Sequence, residues 1–212
     1  MSQFNIDTTL GSIAITCSRN GPSLNPHRAN TIYIHLCHLL RAVLLNHRLK
    51  LQGHMHLIVQ TVQALLRCLF RPLPHTPPSS KFGAPPPWLS PTSVLTVDAA
   101  ESFTRLLTLI CDPTESSVRG KRHNALVSAS EKWKKVAGWH MQFVLMEFVA
   151  LQLEMRVESA VKEKLIPGIY AIFDTTTIED RRAMGAKMDA SQRAVFGGLV
   201  RDYLRFGKWN GA

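Results

Sequence analysis

From Ala29 to Leu49 the apolar residues Ile32, Leu36, Leu40, Val43 and Leu44 recur at helical spacing, with Arg41, His47 and Arg48 mainly off that stripe. The spacing predicts an amphipathic helix. Gln52-Gly53 interrupts it, and Met55, Ile58, Val59, Val62, Leu65, Leu66 and Leu69 then give the cleanest 3.6-residue period in the chain. So short a connection predicts that the two helices pack antiparallel.

Further along, start and stop signals alternate with apolar stripes. Asp98 with Glu101 reads as an N-cap and its partner, opening a helix through Phe103, Leu106, Leu107 and Ile110 that ends at Asp112-Pro113. Ser128 with Glu131 reads as a second capping box, before a long helix to about Met155. Its stretch from Met141 to Leu153 is apolar on nearly every side apart from Gln142, Glu147 and Gln152, which predicts a central, multiply covered position. The next helix starts near Val157, supported by Glu158 with Lys162, and carries Val161, Leu165, Ile169, Ile172 and Phe173. Pro167-Gly168 within it predicts a kink or a restart. Thr177 with Asp180, and Asp189 with Gln192, open two more helices over roughly 178–187 and 190–206. The last is expected to bury Val195, Leu199, Tyr203 and Phe206.

Two stretches break this rhythm. Residues 1–28 contain Gly11, Gly21, Pro22 and Pro26 and read as an irregular segment with a short helical piece around Ile13 and Ile15. Residues 71–91 hold eight of the twelve prolines, so they read as an exposed loop inserted in the domain formed by 29–212. No sustained period-2 alternation signals a strand. The expected class is all-α: stacked helical hairpins, an armadillo/HEAT-like α-solenoid segment.

Charge adds a partner class to this picture. The 212 residues carry a formal +10, which favours nucleic acid or another anionic surface. Residues 1–95 have 8 Lys and Arg against the single Asp7, net +7, whereas residues 96–212 have 17 against 14, net +3. Cys17, Cys37, Cys68 and Cys111 are widely spaced and read as reduced core thiols rather than a disulfide framework. No signal-peptide pattern opens the chain and no run approaches about 18 uninterrupted apolar residues, so a soluble protein without a membrane role is expected.

Few residues suggest chemistry. His35, Cys37, His38, His54 and His56 are zinc-ligand types, but on a helix His35 and Cys37 point apart and no C-x2-C or H-x3-H pair is present. Partly exposed histidines beside a core cysteine are the preferred reading. Asp174, Glu179, Asp180 and Asp189 form an acidic cluster better explained by helix capping and pairing with Arg181 or Arg182 than by a metal site. No nucleophile elbow, phosphate loop or dinucleotide fingerprint occurs, and no cofactor or small-molecule substrate is implied. Gly197-Gly198 reads as a close helix contact. Arg41, Arg48 and Lys50 in the basic first half and Arg201, Arg205 and Lys208 near the end, with Trp209 as a stacking surface, are candidate phosphate contacts, but a solvated basic face opposite a buried aromatic face is the preferred reading. Arg119, Lys121 and Arg122, and Lys132, Lys134 and Lys135, read as solvated basic runs.

The run PGIYAIFD, then Met188-Asp189 and Arg193-x-x-Phe196, then LVRDYLRFGKW, resembles the C-terminal domain of the nucleolar 27S pre-rRNA processing family, the Urb-two/Npa-two type. HRLKLQGHMHLIVQTVQALLRCLF, residues 47–70, resembles its upstream helical hairpin, although His54 stands where the family pattern has arginine. The resemblance implies a non-enzymatic scaffold in early pre-60S assembly, located in the nucleus and nucleolus. The implied partners are a companion large helical scaffold, a DEAD-box RNA helicase and pre-rRNA. Family members are very large, so this chain is expected to correspond to one domain of such a scaffold or a stand-alone copy of it. A basic helical RNA-binding module outside ribosome assembly is the alternative.

Overall fold

A computed structural model describes residues 1–73, 84–90, 95–113 and 123–207. Its eight α-helices are α1 (Gln3–Thr16), α2 (Ala29–His47), α3 (Met55–Cys68), α4 (Val97–Cys111), α5 (His123–Glu154), α6 (Ser159–Thr175), α7 (Ile178–Lys187) and α8 (Ala190–Asp202). Two-residue strands β1 (Arg71–Pro72) and β2 (Met155–Arg156) pair antiparallel, Arg71 opposite Arg156, and clip the exit of α3 to the exit of α5.

The main helix pairings are α4 with α6, α2 with α4, α1 with α3, α3 with α5, and α5 with both α6 and α8. The structure shows this helical packing without a regular solenoid repeat. In particular α2 and α3 are not the expected hairpin partners. The buried stripe of α2 is turned toward Tyr33, Cys37 and Leu40, leaving Ile32 and Leu36 only partly covered, so that α2 lies against α4. Tyr33 still reaches α3, donating its O–H to the Leu65 carbonyl at 3.1 Å.

Residues 3–16 correct the irregular reading of the first segment. Ile6, Leu10 and Ile13 fall on one helical face and are buried, Ser2 caps the helix by accepting from the Asn5 N–H, and Thr61 of α3 donates to the Leu10 carbonyl. Burial of this stripe outweighs the propensity cost of Gly11, about 1 kcal/mol relative to Ala. The proline-rich insertion is also partly anchored. Trp88 and Leu89 are buried, and the Trp88 indole N–H donates to Thr16 at the end of α1 at 2.7 Å.

Three start signals hold in altered form or not at all. Thr96, not Asp98, occupies the N-cap of α4, with its N–H and O–H both directed at Asn30 of α2. Glu101 instead pairs with Arg105 and with Lys164 of α6. Ser128 lies inside α5, which begins at His123. Helix α6 runs through Pro167 without restarting, and Gly168 lets it approach α4: a Cβ there would lie 3.0 Å from Leu107 and 3.1 Å from the Thr104 backbone.

The stretch 130–154 of α5 is long and apolar enough by composition to cross a membrane, but half of that window is buried inside the helical stack. A core helix accounts for it. Its cover is incomplete, however. Met141, Val144, Leu145, Phe148 and Val149 are buried, as a multiply covered helix requires, while Phe143 is 48% exposed and Trp139, just before that stretch, 58%.

Candidate functional site

The described C-terminal residues that carry the sequence resemblance, from Pro167 to Gly207, meet at the junction of α6, α7 and α8. Thr177 and Asp180 form a reciprocal capping box: the Thr177 N–H donates to Asp180 Oδ2 at 3.0 Å and the Asp180 N–H to Thr177 Oγ1 at 3.1 Å. Asp189 caps α8 by accepting from the Gln192 N–H at 2.8 Å. These carboxylates satisfy otherwise unpaired helix N-termini.

The helix C-termini are served by two arginines. Arg181 donates to the Phe173 and Thr176 carbonyls at 2.7 and 3.0 Å, closing α6, and its guanidinium lies over the Phe173 and Tyr203 rings. It therefore serves the backbone rather than the expected carboxylate pairing. Arg193 donates to the Gly185 and Met188 carbonyls at 3.0 and 2.9 Å, closing α7. Behind them Phe173 stacks on Tyr203 with centroids 5.0 Å apart and meets Phe196 at 6.0 Å. Tyr203 donates to Asp174 Oδ1 at 2.6 Å; burial first, and then this carboxylate, raise its phenol to about 12. Thus the arginine and carboxylate residues of this segment tie the ends of α6, α7 and α8 together.

The last turn departs from the expected stripe. Tyr203–Gly207 form a π-helical turn, and this wider turn carries Phe206 off the buried face, leaving it 55% exposed beside the Arg205 guanidinium. Phe196 and Leu199 are buried as α8 packs, while Val195 is only partly covered. Gly197 and Gly198 face open space rather than a neighbouring helix.

Of the candidate phosphate contacts, Arg41, Lys50, Arg201 and Arg205 are exposed, on separate elements. Lys50 also donates to the Met1 carbonyl at 2.9 Å. Arg48 is corrected: it is 4% exposed, donates to the Leu109 carbonyl at 2.8 Å, and lies 4.8 Å over the Trp133 ring, so it offers no surface charge. Lys208, Trp209, Arg119, Lys121 and Arg122 lie outside the described residues. Lys134 pairs with Asp112 at 2.6 Å, whereas Lys135 sits over Trp139.

With this arrangement in place, the comparison with known sequences is decisive: the profile of the Urb2/Npa2 family matches residues 1–212. The chain belongs to the Urb2/Npa2 family. A relative, "Probable nucleolar pre-ribosomal-associated protein 2" of Schizosaccharomyces pombe, is 24% identical over 208 residues. The match covers 97% of this chain and 16% of the relative, so this Urb2/Npa2 chain spans about one sixth of that protein's length. No solved structure matches it.

The remaining chemical candidates in this Urb2/Npa2 chain have structural uses. His54 pairs with Asp7 of α1 at 3.2 Å and stacks near His56, and among the described residues no group of three His, Cys, Asp or Glu side chains gathers as a metal site. All four cysteines are free and buried; burial pushes the Cys37 and Cys111 thiols up to about 12. The surface that the hydrophobic pattern concealed is the uncovered side of α5. A pair of aromatics four residues apart, preceded by lysines, was its only local signal.

Proposed function

We propose that this chain acts as a non-enzymatic helical scaffold domain in the nucleolus, in early pre-60S assembly and 27S pre-rRNA processing. The observation that carries the reading is the family match along the whole chain, together with a relative named as nucleolar and pre-ribosome-associated. The geometry supports it: Arg181, Arg193, Asp180 and Asp189 are engaged in helix caps, so the most distinctive segment of sequence maintains a shape. The helix-on-helix packing of successive and next-but-one helices fits one end of an armadillo-like array, the finer architecture we assign. A companion large helical scaffold and a DEAD-box RNA helicase are the proposed neighbours, and pre-rRNA the proposed contact of Arg41, Lys50, Arg201, Arg205 and Lys208.

The test is sedimentation of the epitope-tagged chain from nuclear extract, combined with pre-rRNA hybridisation after its depletion. Co-migration with pre-60S particles and altered 27S pre-rRNA levels are expected. Absence from those particles with unchanged 27S species overturns the reading.

The net charge of +10, concentrated in the first half, favours one second reading, a general basic RNA-binding module. It requires RNA affinity that falls steeply with salt and weakens when Arg41 and Lys50 are neutralised, in RNA unrelated to ribosomes.

A further inference from the structure

Resting on the scaffold reading, the geometry points to one docking surface: the uncovered seam of α5, which receives an acidic amphipathic helix of a protein partner. Lys132, Lys135, Trp139, Phe143, Met146 and Ala150 follow one another at intervals of three or four residues. This is the alternation on which a second helix packs side by side. The seam extends over about 27 Å at 1.5 Å per residue, four to five turns.

Its middle is apolar and accessible. Trp139 and Phe143 are 58% and 48% exposed, and beyond them the seam descends into a cleft of about 360 Å³ floored by Phe143, Met146 and Ala150. Helix α3 supplies one wall through Gln63 and Arg67; Lys187 and Gln192, at the α7–α8 junction, supply the other. Gln63 donates to the Phe143 carbonyl, fixing α3 against the floor. Exposed Trp139 and Phe143 leading into a cleft rimmed by amides and cations have the anatomy of a protein interface.

Charge selects the occupant. Four cations line the seam and cleft, Lys132, Lys135, Arg67 and Lys187, against two carboxylates, Glu131 and Glu147. Arg67 and Glu147 engage each other, which leaves Lys132, Lys135 and Lys187 against Glu131. The excess is positive and lies at the edges, so a helix with an apolar stripe and flanking carboxylates is complementary in both respects. An RNA strand would use the same lysines, but it has no helical stripe to match the three- and four-residue spacing and would leave the methionine and alanine floor unfilled.

The test places the photocrosslinker p-benzoylphenylalanine at Phe143 of the full tagged chain in cells, followed by mass spectrometry of adducts in the particles. A crosslinked protein segment with apolar residues at helical spacing and flanking Asp or Glu is expected. Its yield should fall at least fivefold in Lys132→Glu/Lys135→Glu and in Trp139→Ser, each variant first shown to melt like the wild type. An RNA adduct, a basic or non-helical segment, or no adduct in particles that contain the chain overturns the proposal. Sedimentation separates the two readings. Particles that retain the chain without an α5 adduct refute the seam alone, whereas a chain absent from particles refutes the scaffold role.

Discussion

Arg48 at the end of α2 lies with its guanidinium 4.8 Å from the ring centroid of Trp133 on α5, both side chains buried. Each donates to the last turn of α4, Arg48 to the Leu109 carbonyl and the Trp133 indole to that of Ile110 at 2.7 Å. One arginine and one tryptophan therefore tie three helices at a single point. Burial lowers the arginine to about 10, which still leaves it charged at neutral pH, and its Nε and Nη1 lack partners among the described residues. Arg48→Ala should cost about 2–3 kcal/mol, from the lost packing and an unpaired carbonyl. Arg48→Met should cost less than about 1 kcal/mol, because an apolar stem replaces a charge that is costly to bury. Urea unfolding of the two variants checks the order.

The buried thiols predict an alkaline limit to stability. Cys37 and Cys111 are held at about 12, above the ordinary thiol value of 9.0, chiefly because burial disfavours the thiolate. Above pH 9 the unfolded chain loses these protons while the folded chain keeps them, so their contribution, full below pH 9, is lost as pH rises toward 12. Each thiol should steepen the decline by about 1.4 kcal/mol per pH unit. Thermal melts from pH 8 to 11 should show the slope, and Cys111→Ala should make it shallower while lowering stability at pH 7.

Arg181 and Arg193 close consecutive helices, and their loss should act on the C-terminal unit first. Arg181→Ala removes two backbone contacts and the stacking on Phe173 and Tyr203, for an expected cost of about 2 kcal/mol. Arg181→Lys should recover little, since a point ammonium cannot span both carbonyls while covering two rings. Hydrogen exchange should report the loss as faster exchange in α7 and α8, with α1 and α3 unchanged.

The locally encoded features could be read from sequence: the α3 stripe, the Thr177–Asp180 box and the Asp189 cap all depend on residues within one or two turns. What escaped depends on distant chain. Arg48 sits at the edge of an amphipathic stripe, and only the arrival of Trp133 makes that edge interior. Trp88 was hidden among prolines, whose signal says where helices stop but not what packs. The multiply covered position of α5 was legible from its apolar surround, but which side stays open depends on how many helices surround it, and here one side of Trp139 and Phe143 does.

Glycine positions give a test of the helix crossings themselves. A Cβ on Gly138 would overlap the Thr175 carbonyl oxygen where α5 meets the end of α6, and backbone cannot yield as a side-chain tip can. Gly138→Ala should therefore separate the two helices and cost about 2–3 kcal/mol, the range of overpacked cores. At Gly197 on α8 the same substitution meets nothing within 4 Å. There the gain in helix propensity and the smaller entropy of the unfolded chain should add about 0.5–1 kcal/mol. Denaturant midpoints moving in opposite directions for these chemically identical changes are the expected result. A loss of stability in Gly197→Ala would mean that α8 is approached closely at that position, as the Gly-Gly sequence alone suggested.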